Sequence, residues 1–272
     1  MQHSKPFIGV RWTIGDVSAL GFHALRFSLW GALSVFGPNA EYVVCVNTLP
    51  VEVARERTGP VPEAVRWYDA TGQLPGLLRE HLDGGMAEGV GWKFAPLRLF
   101  PDHYEIALDN DCILWELPPS LGAWLDRARP DGCVLAQDVR ACFGQFASFC
   151  GPEPRNSGIR GLPPRFSLEQ ALASMLREHP VRLSSELDEQ GLQVAALSRS
   201  GPLAVVPLEE VAVSSPFPPH LAEPGRSGVH FVGINAAERI GWTSNGRPAA
   251  DLLREHFLRH TELLRARTGS PE

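Results

Sequence analysis

Ile106, Ala107 and Leu108 make an apolar run that ends in two carboxylates one residue apart, Asp109 and Asp111, before the apolar line resumes at Cys112, Ile113 and Leu114. Aspartate has poor strand propensity, and an ionised carboxylate is costly to bury without a partner, so the pair does not belong inside a strand. At the carboxyl end of a strand it is well placed, because open α/β sheets bind their ligands there. A divalent cation with oxygen ligands would offset the mutual repulsion of the two carboxylates and neutralise a bound phosphate. A solvated turn carrying two aspartates is the other reading of the same residues.

The chain around this stretch alternates strand and helix signals. Phe7 to Val10 with Trp12 reads as a first strand, and Val17 to Phe36 as a long apolar helix closed by Gly37-Pro38. Tyr42 to Val46 and Val65 to Tyr68 read as second and third strands, and Cys133 to Ala136 as a later one ending at Gln137-Asp138. Such a rhythm predicts a mostly parallel, doubly wound sheet. No GxGxxG and no Walker lysine loop is present, which argues against a dinucleotide enzyme or a P-loop kinase. The glycine-rich stretch Gly84 to Gly91 reads as a connector, and Leu117 to Ser120 as the start of a short helix through Trp124, Leu125 and Ala128. From Cys142 to Pro164 four prolines predict an irregular excursion over the site, suited to an acceptor loop, with re-entry into the sheet open at Gly158-Ile159. Ser167-Leu168-Glu169-Gln170 is a capping box opening a helix with Leu172, Met175 and Leu176 as its buried stripe. Pro248 to Arg265 is amphipathic, with Leu253, Phe257 and Leu264 on one side, and predicts a terminal helix that packs across the domain or makes a homodimer contact.

Composition narrows the function. A net charge of −6 argues against a nucleic-acid binder, since phosphate backbones need clustered Lys and Arg. The five cysteines, Cys45, Cys112, Cys133, Cys142 and Cys150, show no CxxC spacing, which predicts free thiols in a reducing compartment. No stretch is expected to supply the roughly 18 apolar residues of a membrane span, so the expected location is cytoplasmic.

Read together, Trp92-Lys93-Phe94-Ala95-Pro96-Leu97-Arg98-Leu99-Phe100 and Tyr104 to Asp111 resemble the core of the GT-A glycosyltransferases, with a basic helix, a buried strand and an Asp-x-Asp motif. Within that superfamily they are most similar to the glycogenin-like and lipopolysaccharide-galactosyltransferase type. Asn156-Ser157-Gly158, Asp188 to Gln193 and His230-Phe231-Val232-Gly233 follow in the same order as that family's downstream motifs. The resemblance implies a single GT-A domain over 1–272, with a nucleotide-sugar half at 1–115, an acceptor half at 116–240 and a C-terminal helix at 245–267.

The same resemblance assigns roles. Asp109, Asp111 and His230 would hold Mn2+ or Mg2+. The donor would meet Arg11, Trp12 and Thr13 at the first strand's end, along with Lys93, Asn110 and Gly233. Arg98 could assist Lys93, or pair with Asp102 or Glu105 instead. Asn156, Ser157 and Trp242 would face the acceptor; Asp188, Glu189 and Asp138 are the catalytic candidates. Glu189 stands where the family often has Gln and Gln193 where it usually has Asn, while Asn235 to Glu238 replace its lysine and Pro-Trp. The resulting expectation is transfer of a sugar from a nucleotide-diphospho-sugar to an acceptor hydroxyl, of a glycan, lipid-linked or small-molecule acceptor, with retention of configuration. A catalytically silent nucleotide-sugar-binding protein and a sugar-nucleotide nucleotidyltransferase are the alternatives. The latter is disfavoured because residues 9–21 hold no glycine-rich loop with Arg and Lys.

Overall fold

The computed structural model describes residues 7–82, 91–126 and 132–271. The connector read at Gly84 to Gly91 and the helix position Ala128 fall wholly or mostly outside them.

Near-continuous buried runs, as expected of a parallel sheet covered on both faces, build the centre of the molecule. Strands β1 (Ile8–Ile14), β2 (Glu41–Val46), β3 (Val65–Asp69) and β4 (Tyr104–Leu108) pair in parallel. Strands β6 (Val134–Gln137), β7 (Arg155–Leu162) and β8 (Ala204–Val206) extend the sheet, whose order is β3-β2-β1-β4-β7-β6-β8. Strand β7 alone runs against the rest, antiparallel to both β4 and β6. Chain order reverses direction between β1 and β4, and that switch point is where an open α/β sheet leaves a crevice at its carboxyl edge.

The position of β7 corrects the sequence reading of 142–164 as an excursion. The prolines at 152, 154, 163 and 164 bracket the strand and do not interrupt it. Its two glycines depress strand propensity but permit close packing: a Cβ on Gly161 would fall 2.9 Å from Val134 Cβ and 3.0 Å from the Trp124 ring. Asn156, Ser157 and Gly158 therefore lie within the sheet, next to Asp109, whose N–H donates to the Gly158 carbonyl at 2.9 Å.

Helix α1 (Ala19–Phe36) is capped by Ser18, whose side chain accepts from Gly21 N–H. Contrary to expectation, it is long and apolar enough to cross a membrane by length and composition. In the fold, ten of its residues, among them Phe22, Leu25 and Leu29, are buried against the central sheet and the C-terminal layer. The second face of the sheet is covered by α5 (Leu168–Glu178) and α6 (Glu186–Arg199), with Leu172, Met175, Leu192 and Leu197 in a separate apolar cluster. Between that cluster and the small one at Val43, Cys45 and Phe100 runs a polar stripe on the sheet: Arg11, Glu105 and Arg160.

A three-stranded sheet, β5 (Cys112–Leu114), β10 (Gly228–Phe231) and β9 (Val211–Ser214), sits beside the first. The C-terminal segment is two helices, Ala249–Arg259 and Thr261–Thr268, preceded by a short hairpin at 243–248. Leu253, Phe257 and Leu264 are buried against Phe27, Val229 and Phe231, so the expected apolar side packs across the domain. All five thiols are free, three of them buried.

Candidate active site at the carboxyl edge of the sheet

Strand β4 ends at Leu108 and the chain turns, with Cys112 N–H donating to Asp109 carbonyl at 2.9 Å, before entering β5. The turn frees Asp109 and Asp111 from the ladder. Antiparallel pairing of His230 with Cys112, and a Phe231 N–H bond to the Asp111 carbonyl at 2.9 Å, bring the imidazole across from 120 residues away in sequence. His230 Nε2 lies 3.2 Å from Asp111 Oδ1 and 3.6 Å from Asp109 Oδ2, and one donor atom from each residue falls within 4.8 Å of the others. Gly158 makes room: a Cβ there would lie 2.4 Å from His230 Cε1.

These residues fit a divalent cation. Asp111 is buried and its Oδ1 accepts no hydrogen bond, while Oδ2 accepts from Asn235 Nδ2 at 3.0 Å. An unsatisfied buried carboxylate oxygen facing an imidazole is costly unless a cation or proton occupies the gap. Without a metal the proton serves: burial lowers the His230 pKa, but Asp111 and Asp109 outweigh it and hold the imidazole above its usual range.

Behind the carboxylates lies a chain of charged and polar groups. Lys93, on the short turn Trp92–Phe94, places Nζ 2.9 Å from Asp109 Oδ2, 3.5 Å from Glu189 Oε2 and 3.5 Å from Ser157 Oγ. Burial pulls its pKa down, yet Asp109 and Glu189 prevail and keep the ammonium charged. Glu189 is buried; burial pushes its carboxyl up, with Lys93 pulling it back. Gln193 Nε2 donates to Glu189 Oε1, and Gln193 Oε1 accepts from Arg160 Nη1 at 2.7 Å. Helix α6 packs tightly on the segment at Phe143 because Gly191 faces the Phe143 carbonyl, where a Cβ would sit at 2.0 Å. Arg11, Thr13, Lys93, Asp109, Arg160 and Gln193 line a cleft at the switch point.

No sequence-family profile matches the chain, and no characterised protein matches it in sequence. Its three-dimensional likenesses are informative. Mouse xyloside xylosyltransferase 1 superposes with a TM-score of 0.55 at 12% identity, over 85% of this chain and 98% of that one. The bifunctional glycosyltransferase WbbM gives 0.57 at 14% identity over 97% of this chain, which matches 52% of that longer protein. The galactosyltransferase LgtC, solved with donor and acceptor sugar analogs, gives 0.48 at 12% identity, over 97% of this chain and 98% of that one. The fold is that of the GT-A glycosyltransferases.

Within this GT-A scaffold the expected site residues divide. Asp109, Asp111, His230, Lys93, Ser157 and Glu189 converge, and Thr13 lines the same cleft. Arg11 also lines it, but its guanidinium donates to the carbonyls of Pro96 at 2.5 Å and Ala95 at 3.3 Å, so its reach is spent holding the loop that follows Lys93. Trp12 turns its side chain to the opposite face, with Nε1 donating to Ser28 Oγ at 2.8 Å in the core. Period-two alternation accounts for that reversal. Asn110 ties Gly21 O to Asn235, and Gly233 supplies a left-handed turn, φ +88°, beneath Asn235. Asn156 Oδ1 caps Gly158 N–H at 2.6 Å and its Nδ2 donates to Asp138 Oδ2 at 3.2 Å. Asp138 Oδ1 accepts from Val139 N–H.

Asp188 departs furthest from expectation. Its oxygens accept from Gln145 N–H and Nε2, both at 2.9 Å, and from Ser184 N–H and Oγ at 2.8 and 3.0 Å. Despite the opposing effect of burial, these bonds hold its carboxyl below the usual range, and it serves to clamp the start of α6. Trp242 is 51% exposed, rests on Phe217 at 4.7 Å between ring centroids, and is not part of the cleft wall. Arg98 takes the Glu105 option at 3.6 Å. Sequence reasoning missed Arg160; a cation in an apolar stretch between glycines was the available signal, and it became readable only with β7 in the sheet.

Proposed function

We propose that this chain is a metal-dependent glycosyltransferase that moves a sugar from a nucleotide-diphospho-sugar to an acceptor hydroxyl. The observation that carries the reading is the convergence of Asp109, Asp111 and His230 at the switch point of a GT-A sheet, with Lys93 set against Asp109. Asp109, Asp111 and His230 would hold Mn2+ or Mg2+, which would supply positive charge to the departing diphosphate. Lys93, kept charged by its two carboxylates, offers a second cation on the same side. Thr13 and the adjoining end of β1 stand where the nucleoside would rest, and Ser157 where the sugar would.

Retention of configuration is the favoured course. An inverting transfer needs a carboxylate base. Both oxygens of Asp188 and of Asp138 accept from neighbouring N–H groups, and Glu189 is paired with Lys93 at 3.5 Å and accepts from Gln193, which favours proton removal by the leaving diphosphate. The unpaired thiols support a reducing, cytoplasmic setting.

The test is melting temperature against a panel of nucleotide-sugars with Mn2+ and with EDTA, followed by assay of donor hydrolysis. Binding to the native state raises stability by RT ln(1 + [L]/Kd). A shift that EDTA removes, with turnover, is the expected result. Binding without turnover in any donor would instead identify a silent sugar-nucleotide-binding protein, and absence of both would end the reading.

A further inference from the structure

Arg160 is 2% exposed, yet its Nε and Nη2 have no hydrogen-bond partner among the described residues. Its one bond goes to a neutral oxygen, Gln193 Oε1 at 2.7 Å. The carboxylate on the same face of the sheet, Glu105, makes no hydrogen bond to Arg160: its Oε2 accepts from Leu99 and Phe100 N–H at 2.7 and 2.8 Å, its Oε1 accepts none and lies 3.8 Å from Arg11, and Arg98 lies 3.6 Å from Oε2. Burial, with Arg11 adding like charge, brings the guanidinium pKa down to about 10, and the charges of Glu105 and Glu189 offset that only in part. Two idle donors on a buried guanidinium are expensive, and the planar fork they form matches a carboxylate.

Arg160 also forms part of the cleft wall beside Asp109, Lys93 and Ser157. It pairs with Ala107, two residues before Asp109 on β4, so its level lies about 7 Å inward from the carboxylate, at ~3.3 Å of strand per residue. If Asp109, Asp111 and Lys93 face the diphosphate, the group at the level of Arg160 is the transferred sugar. The span suits a pyranose with its exocyclic carbon at the Arg160 end.

From this geometry we infer that the transferred sugar is a hexuronic acid, whose carboxylate is received by Arg160 with Gln193 holding the guanidinium in place. The inference rests on the nucleotide-sugar reading of the site. It makes Arg160 the residue that separates an acidic donor from its neutral counterpart. The phosphate oxygens of the donor are the other anionic groups that could reach Arg160, and the two sources differ in what a substitution does.

The experiment compares matched pairs in the presence of Mn2+: UDP-glucuronic acid with UDP-glucose, UDP-galacturonic acid with UDP-galactose, and GDP-mannuronic acid with GDP-mannose. In the wild-type chain one acidic member should bind at least about tenfold tighter than its neutral partner, as expected for a charge-assisted hydrogen bond. In Arg160→Met that gap should close, and in Arg160→Lys, which keeps the charge without the fork, it should shrink. Equal or better binding of the neutral sugar by the wild-type chain, a measurement that needs no variant, overturns the inference and leaves the glycosyltransferase reading standing. Equal loss of both members in Arg160→Met assigns the residue to phosphate or to the fold and overturns it too. No binding of any pair removes both readings.

Discussion

Two pairs of neighbouring carboxylates, Asp109 with Asp111 and Asp188 with Glu189, differ in how their surroundings treat them. The first pair sits on a turn after a strand, where an i, i+2 spacing lets both side chains face His230. The second sits in the first turn of α6, where adjacent side chains diverge by about 100° around the axis. Asp188 therefore turns outward to Gln145 and Ser184, while Glu189 turns inward to Lys93 and Ser157. One pair shares a site; the other is divided between a structural clamp and an ion pair with Lys93. Residue type predicts neither outcome, because the direction of each side chain is set by its element.

The largest effect expected from this contrast is on the first pair. Asp111→Asn or Asp109→Asn should weaken Mn2+-dependent donor binding by more than the ~10–100-fold that loss of an outer metal partner costs, with the metal-free protein still unfolding cooperatively. Wild-type affinity in either variant, read by calorimetry, would remove the metal site. Asp188→Ala should do the reverse: a loss of about 2 kcal/mol in urea unfolding, from four hydrogen bonds forfeited at the start of α6, and an unchanged donor Kd. A large drop in affinity would place Asp188 in the cleft after all.

Gly158→Ala sharpens the role of the gap beside His230. Its Cβ would collide with the imidazole, so metal affinity should fall about tenfold, and the accompanying loss of stability should be relieved in a His230→Ala background. Additive losses would mean that Gly158 matters for another reason, such as its contact with Asn156.

The smallest effect concerns Glu189. Its carboxyl is raised chiefly by burial, so the ionised form opposes folding: its contribution is most favourable below the unfolded pKa of about 4.3 and is lost as pH rises through the folded value. Glu189→Gln should thus be more stable than wild type at pH 7 in urea unfolding, with the advantage shrinking as pH falls towards 4. A destabilised Glu189→Gln at pH 7 would show that its ion pair with Lys93 outweighs its desolvation.

Much of the scaffold was legible in the order of residues. Apolar runs at 42–46 and 104–108, the Ser167 to Gln170 capping box and the buried stripe of α5 are local patterns whose periodicity survives into the structure. The central strand β7 was not, since Gly158, Gly161 and the bracketing prolines read as a loop until β4 and β6 stand on either side of them. By itself the sequence determined the parallel βα framework and the strand-end position of Asp109 and Asp111, because both follow from short-range propensity and the cost of burying charge. Only tertiary structure decided that His230 meets them, that Asp188 and Glu189 part company, and that Arg160 reaches the cleft with two donors unused. Those outcomes depend on which strands pair and which helix packs above them, and no residue carries that in its neighbours along the chain.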